Sequence, residues 1–288
     1  MFKGTFTALI TPFNASGSVD YGRFKAIIEH QIAHGVDGII PVGTTGESPT
    51  LNVEEHLKVI ETAVAVASTK IKVVAGTGAN ATDEAIELTR EAKALGADGT
   101  LQVSPYYNKP NLEGMYRHFS IIADVGLPVM LYNVPGRTGR EIAIETIARL
   151  AAHPSVVAVK EAGGDANRVS LIRDACSIAV LSGDDSLTLP MLSVGAVGVV
   201  SVASNLIPRE VSNMTRFALN GDFIEALDIH ERYFPLFRDL FIDSNPIPVK
   251  YAMARLGHCE EVYRLPMCEM SAKNKAILDA TLKAVGLL

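Results

Sequence analysis

A four-residue joint recurs three times in this chain and limits its architecture more than any other feature. Gly35-Val36-Asp37-Gly38 runs into Ile39-Ile40-Pro41-Val42, Gly96-Ala97-Asp98-Gly99 into Thr100-Leu101-Gln102-Val103, and Gly195-Ala196-Val197-Gly198 into Val199-Val200-Ser201-Val202. The first glycine of each joint suits the left-handed position past a helix C-terminus, and the short link suits an αβ connection. Each joint therefore closes a helix and opens a strand. The same reading along the chain predicts strands near residues 5–10, 38–42, 71–75, 99–103, 128–133, 156–160, 179–182 and 198–202. Amphipathic patterns predict helices between them at about 20–34, 53–68, 82–95, 112–124 and 142–152. Eight βα units in roughly 200–250 residues point to a TIM (β/α)8 barrel rather than a doubly wound open sheet. The barrel domain is placed at residues 1–221. Residues 222–288 read as a C-terminal helical domain, with Asn245-Pro246-Ile247-Pro248 as a stiff break before another helix.

Composition removes several classes of function. A formal net charge of −6 with no Lys/Arg run gives no footprint for nucleic acid. Cys176, Cys259 and Cys268 are odd in number and contain no Cys-x-x-Cys pair, so neither a disulfide framework nor a thiolate metal site is suggested, which fits a reducing cytoplasm. The apolar run before Pro12 is too short for a signal peptide. The long uncharged stretch at residues 186–208 is interrupted by Pro190, Gly195 and Gly198 and reads as helix, turn and strand rather than a membrane span. His30 and His34 have i, i+4 spacing but lack the Glu of a zinc helix, so they read as surface residues and no metal is implied. Gly43–Ser48 lacks the Lys of a phosphate loop, and Gly76-Thr77-Gly78 lacks the third glycine of a dinucleotide fingerprint. Asp184 and Asp185 stand where barrels often bind phosphate and would repel it.

In a barrel the reactive groups lie at the C-terminal strand ends. There Lys160 closes the apolar run Val156-Val157-Ala158-Val159. It either snorkels to water or is an amine held in partly apolar surroundings, where desolvation disfavours the ammonium and leaves a nucleophile. Tyr132 lies near the end of the fifth strand, the neighbour of the sixth in a barrel. It is either an ordinary strand aromatic or the phenol that donates and accepts protons as a carbinolamine forms and dehydrates. The hydroxyls of Thr44 and Thr45 could hold a carboxylate or relay a proton, or serve only as turn and capping groups. Adjacent Tyr106 and Tyr107 must face opposite sides, so one looks away from the pocket. Arg137, in a loop stiffened by Gly and Pro, suits a carboxylate as well as it suits solvent.

Taken together, Gly43-Thr44-Thr45-Gly46-Glu47, Pro105-Tyr106-Tyr107, Tyr132-Asn133-Val134-Pro135-Gly136-Arg137-Thr138-Gly139, Val159-Lys160-Glu161, Ser182-Gly183-Asp184-Asp185 and Asn245-Pro246-Ile247-Pro248-Val249-Lys250 carry a specific likeness. Over nearly its whole length the chain resembles the dihydrodipicolinate synthase and N-acetylneuraminate lyase family of Schiff-base barrels. The resemblance implies that Lys160 forms the Schiff base with pyruvate, with no other cofactor, and that Tyr132 transfers protons. It implies a relay from Thr44 to a Tyr107 supplied by a neighbouring subunit. Thr45 and the backbone around Val200 would hold the pyruvate end, Arg137 the carboxylate of the incoming aldehyde, and Gly183 would also belong to the substrate-binding set. Thr44-Thr45 and Arg137 look like the synthase branch of the family, which implies condensation of pyruvate with L-aspartate-4-semialdehyde to 4-hydroxy-tetrahydrodipicolinate, on the way to diaminopimelate and lysine. Another pyruvate-dependent aldolase of the family, of the N-acetylneuraminate lyase or keto-sugar-acid type, is one alternative, and a catalytically silent binding barrel is the other. The resemblance further implies a homotetramer built as a dimer of dimers, or a homodimer, with L-lysine binding at Ser48, His56, Asn80, Glu84 and Tyr106. Pro49 and Val53 depart from the pattern of some lysine-inhibited members.

Overall fold

The computed structural model describes residues 2–288. Among them, eight parallel strands close into one barrel in chain order: β1 (Gly4–Ala8), β2 (Gly38–Ile40), β3 (Lys72–Gly76), β4 (Gly99–Val103), β5 (Val129–Asn133), β6 (Val156–Glu161), β7 (Ala179–Ser182) and β8 (Gly198–Ser201). Around them run α1 (Tyr21–Ala33), α2 (Val53–Ala67), α3 (Thr82–Ala94), α4 (Leu112–Ala123), the one-turn α5 (Pro135–Thr138), α6 (Ile144–Leu150), α7 (Asn167–Ala175), α8 (Thr188–Ser193) and α9 (Pro208–Asn220). The tail adds α10 (Phe223–Asp239), α11 (Ile247–Arg255) and α12 (Ala272–Ala284). α10 packs along α9, and α12 packs against α10 and α11. Every strand expected from the sequence is present, and the five expected helices end within two residues of their expected limits.

The recurring joint behaves as its glycines require. Gly35, Gly96 and Gly195 take φ of +76°, +90° and +99°, values that a side chain resists. Strand alternation then builds two apolar layers. Every strand sends at least one residue to the inner layer: Phe6 and Ala8, Ile40, Val74, Leu101, Met130 and Tyr132, Ala158, Leu181 and Val200. The intervening residues, such as Ile39, Val73, Val129, Val159 and Val199, pack outward against the helices. The barrel centre is therefore filled, and open space is left only above the strand ends.

One departure from strict alternation sets the site. Val129 pairs with Val156 but Met130 pairs with Ala158, so β6 carries one extra residue against β5. Val156 belongs to the outer layer, whereas Val157 and Ala158 both pack against the inner one. Unbroken alternation from Val156 would put Lys160 outside; the bulge turns it inward. No helix among the described residues is long and apolar enough to cross a membrane.

Candidate active site

The register of β5 and β6 brings the amine and the phenol together. Tyr132 and Lys160 are paired residues, and Lys160 Nζ lies 4.2 Å from the centroid of the Tyr132 ring. Lys160 is only 5% exposed, so it does not snorkel to water. Gly183, at the end of β7, makes room for it: a Cβ there would lie 2.9 Å from Lys160 Cε and 2.7 Å from Ala162 Cβ. Its amide N–H donates to the Glu161 carbonyl at 2.7 Å, which holds the glycine against the lysine stem.

One residue further along each strand, alternation points Asn133 and Glu161 out of the barrel, where they are again register partners. Asn133 Nδ2 donates to Glu161 Oε1 at 2.8 Å, and the Gly163 amide donates to the same oxygen at 2.7 Å. Arg168 Nε donates to Glu161 Oε2 at 3.0 Å. Asn133 Oδ1 accepts from the Ile142 amide at 2.8 Å, while Arg168 Nη2 donates to the Ile142 carbonyl at 2.9 Å. A buried carboxylate with this many donors is fully satisfied, which makes the cluster a rigid clamp. It fixes from outside the two strands whose inward side chains are the amine and the phenol.

Above the strand ends lies a cavity of about 410 Å³, lined in part by Thr44, Tyr132 and Arg137. The loop after β2 that carries Thr44 and Thr45 is strained, with Val42 at φ +50° and Glu47 at φ +53°; the left-handed region is costly for a β-branched side chain. Long-range contacts hold it there. Glu47 pairs with Lys250 of α11 at 2.5 Å, both fully buried, and Lys250 Nζ sits 4.1 Å from the Phe13 ring centroid. Burial pulls the Lys250 ammonium below its ordinary range, and the Glu47 charge opposes that shift. Asn245 Nδ2 donates to Thr45 Oγ1 at 3.0 Å, and Arg137 Nη2 donates to the Asn245 carbonyl at 3.0 Å. Asn245 thus ties a threonine of the β2 loop to the arginine of the β5 loop. Gly76 is needed opposite, because a Cβ there would lie 2.4 Å from the Val42 carbonyl oxygen.

Ser48, His56, Glu84 and Tyr106 also line this cavity. His56 Nε2 donates to the Gly76 carbonyl at 2.9 Å, and burial lowers the pKa of this ring. Asn80 stands behind them, its Nδ2 donating to the Tyr106 carbonyl at 3.2 Å. Tyr106 faces the cavity and Tyr107 looks away, as adjacent residues must. Tyr107 is 90% exposed at φ +72°, so within one chain it does not meet Thr44.

At the end of β8, Val200 fills the inner layer and the turn beyond it is gripped by Asp185. Asp185 Oδ1 accepts from Ser201 Oγ at 2.5 Å, and Oδ2 accepts from the amides of Val202 at 3.0 Å and Ala203 at 2.9 Å. Burial pushes this carboxyl up to about 6, against the pull of the three donors. The amides after β8 are therefore already occupied by a side chain. His30 and His34 are half-buried rather than solvated, their tilted rings 4.1 Å apart between centroids, with the His258 ring 5.4 Å from that of His30. Among the described residues, no three His, Cys, Asp or Glu side chains converge as a metal-ligand set.

Sequence reasoning singled out the amine, the phenol and the cavity lining but not the groups that hold them: Asn133, Glu161, Arg168, Glu47, Lys250 and Asn245. One signal was present. Glu161 directly follows the lysine in a valine-rich strand, and a carboxylate placed to face the helix layer needs buried donors.

Fold and site define a (β/α)8 barrel that buries a lysine amine beside a tyrosine near the C-terminal ends of its strands. The chain belongs to the dihydrodipicolinate synthetase family, whose model matches residues 1–285. It is 52% identical over 291 aligned positions to a 4-hydroxy-tetrahydrodipicolinate synthase of Aquifex aeolicus, covering 100% of this chain and 99% of that one. A solved dihydrodipicolinate synthase of Acinetobacter baumannii, chloride-inhibited and complexed with pyruvate, superposes with a TM-score of 0.98 at 41% identity, covering 100% of both chains. One from Cyanidioschyzon merolae with lysine bound gives 0.97 at 45% identity, covering 100% of this chain and 99% of that one.

Proposed function

We propose that the chain condenses pyruvate with L-aspartate-4-semialdehyde to 4-hydroxy-tetrahydrodipicolinate, the reaction its relatives are named for. The observation that carries this reading is the buried, in-register pair of Lys160 and Tyr132, the amine 4.2 Å from the ring centroid, with Tyr132 lining a cavity that also presents Arg137. Lys160 Nζ adds to the ketone carbon of pyruvate, and the Tyr132 hydroxyl protonates the leaving oxygen so that water departs and the iminium forms. Loss of a methyl proton gives the enamine, with the iminium nitrogen as the electron sink. Its carbon attacks the aldehyde, and the acceptor's own amine then closes the ring and displaces Lys160. No cofactor beyond this covalent Schiff base is invoked.

Thr45, Gly183 and the Val200 backbone receive the pyruvate end, and Arg137 the acceptor carboxylate, for which its planar fork is suited. Thr44 relays protons between Tyr132 and a Tyr107 from a second subunit, which gives the exposed, strained Tyr107 a use in a homodimer or a dimer of dimers. Ser48, His56, Asn80, Glu84 and Tyr106 form the lysine feedback site. The division between barrel and helical domain falls at residues 221 and 222, and the three free thiols suit a cytoplasmic location.

The test is pyruvate consumption by the purified protein with aspartate semialdehyde, run beside N-acetylmannosamine and a control without acceptor. Rapid consumption with the semialdehyde alone supports the reading. Consumption with the sugar instead would move the chain to the lyase branch.

A further inference from the structure

Asp185 takes no part in the chemistry above, yet its carboxylate is 2% exposed at the catalytic end of the barrel. It lies two residues beyond Gly183, whose missing Cβ seats the Lys160 stem. From there it reaches across to the turn after β8, accepting from Ser201 Oγ and from the amides of Val202 and Ala203. Ser201 Oγ accepts in turn from the Ser204 amide at 2.9 Å, and Ser204 Oγ donates to Thr7 Oγ1 of β1 at 2.8 Å. A continuous line of bonds thus runs from the loop against the amine, through the β8 turn, to the first strand.

All three donors to Asp185 are neutral groups. A buried carboxylate held only by neutral donors is an expensive way to stabilise a turn, because its charge is desolvated without a counter-charge. The expense is understandable where the turn must not move.

We propose that Asp185 is a positioning residue for the keto-acid half of the reaction. It occupies the amides of the 200–203 turn and fixes that turn relative to Lys160, so that a 2-keto acid packed against Val200 presents its ketone carbon to the amine. This rests on the reading of the Val200 backbone as the pyruvate end. Small misplacements of a bound reactant cost large factors in rate and affinity. Asparagine keeps the shape of Asp185 but offers one acceptor oxygen where three donors need two, so Asp185→Asn frees part of the turn.

The experiment is borohydride trapping of pyruvate as a function of pyruvate concentration, with steady-state kinetics and thermal midpoints, for wild type and Asp185→Asn. The expected result is a rise of about tenfold in half-saturating pyruvate, in both trapping and KM. Trapping at saturation should stay complete, the KM for the aldehyde should stay within about twofold, and the thermal midpoint should be unchanged or raised. An unchanged half-saturation, or a loss confined to the trappable fraction, would make Asp185 a structural residue only and overturn the proposal. If Asp185→Asn does not fold, Ser201→Ala decides, since it removes the 2.5 Å bond to Asp185 together with the acceptor of the Ser204 amide: a rise of about threefold supports the proposal and no rise overturns it. Failure of wild type to trap pyruvate would instead remove the catalytic reading on which the proposal rests.

Discussion

Among the described residues two lysines are buried, Lys160 and Lys250, and they differ in what holds them. Lys250 has a carboxylate at 2.5 Å, Glu47, and packs over Phe13. Lys160 lies against the Tyr132 ring, and the carboxylate next to it in sequence, Glu161, is turned outward and consumed by Arg168 and Asn133. Burial pulls the Lys250 ammonium down and the Glu47 charge opposes that pull, so the ion pair ties this lysine to one structural partner. Among the described residues Lys160 has no such carboxylate on it, and it is the amine proposed above to meet the carbonyl carbon. The two also anchor different parts of the site: Lys160 stands on the barrel wall, while Lys250 steadies, from the C-terminal helices, the strained loop that carries Thr44 and Thr45.

Four substitutions sharpen the contrast, beginning with the largest effect. Tyr132→Phe keeps the ring over Lys160 but removes the proton carrier, and kcat should fall by about 10²–10³ with the fold intact by circular dichroism. A loss below tenfold would mean that protons travel by another route. Lys250→Ala leaves Glu47 buried and unpaired and should cost about 3–5 kcal/mol in denaturant unfolding. Most of that should return in the double variant Glu47→Gln, Lys250→Met, whereas a neutral single variant would show that the pair does not hold the loop.

Glu161→Gln weakens the outer clamp without touching the cavity and should cost about 1–3 kcal/mol in unfolding experiments, with trapping at Lys160 slowed but still complete. If trapping kept its wild-type rate despite the stability loss, the clamp would have no part in aiming the amine. Asn245→Ala removes one bond to Thr45 and should raise the pyruvate KM about two- to tenfold with little change in kcat. Equal changes in both constants would point instead to a general loosening.

The same contrast shows how much was readable in the sequence. The barrel was legible because its signals are local: glycines past helix ends, valine-rich strands, amphipathic helices. Lys160 stood out for the same reason, as a charge in an apolar strand. Its inward direction was not legible, since it depends on a one-residue slip between β5 and β6 that no residue type in Val156-Val157-Ala158 announces. Nor were the contacts of Asn245 and Lys250, which join positions some two hundred residues apart. Asp185 was read from its charge alone as a group that repels phosphate. The structure shows it instead binding the amides that such an anion would use.

The most direct test is peptide mapping after borohydride reduction of the protein with saturating pyruvate. The mass of one reduced pyruvate should appear on the peptide containing Lys160 and be absent from the one containing Lys250, and Lys160→Ala should abolish it. Labelling at Lys250, or at no lysine, would contradict the assignment of Lys160 as the reactive amine.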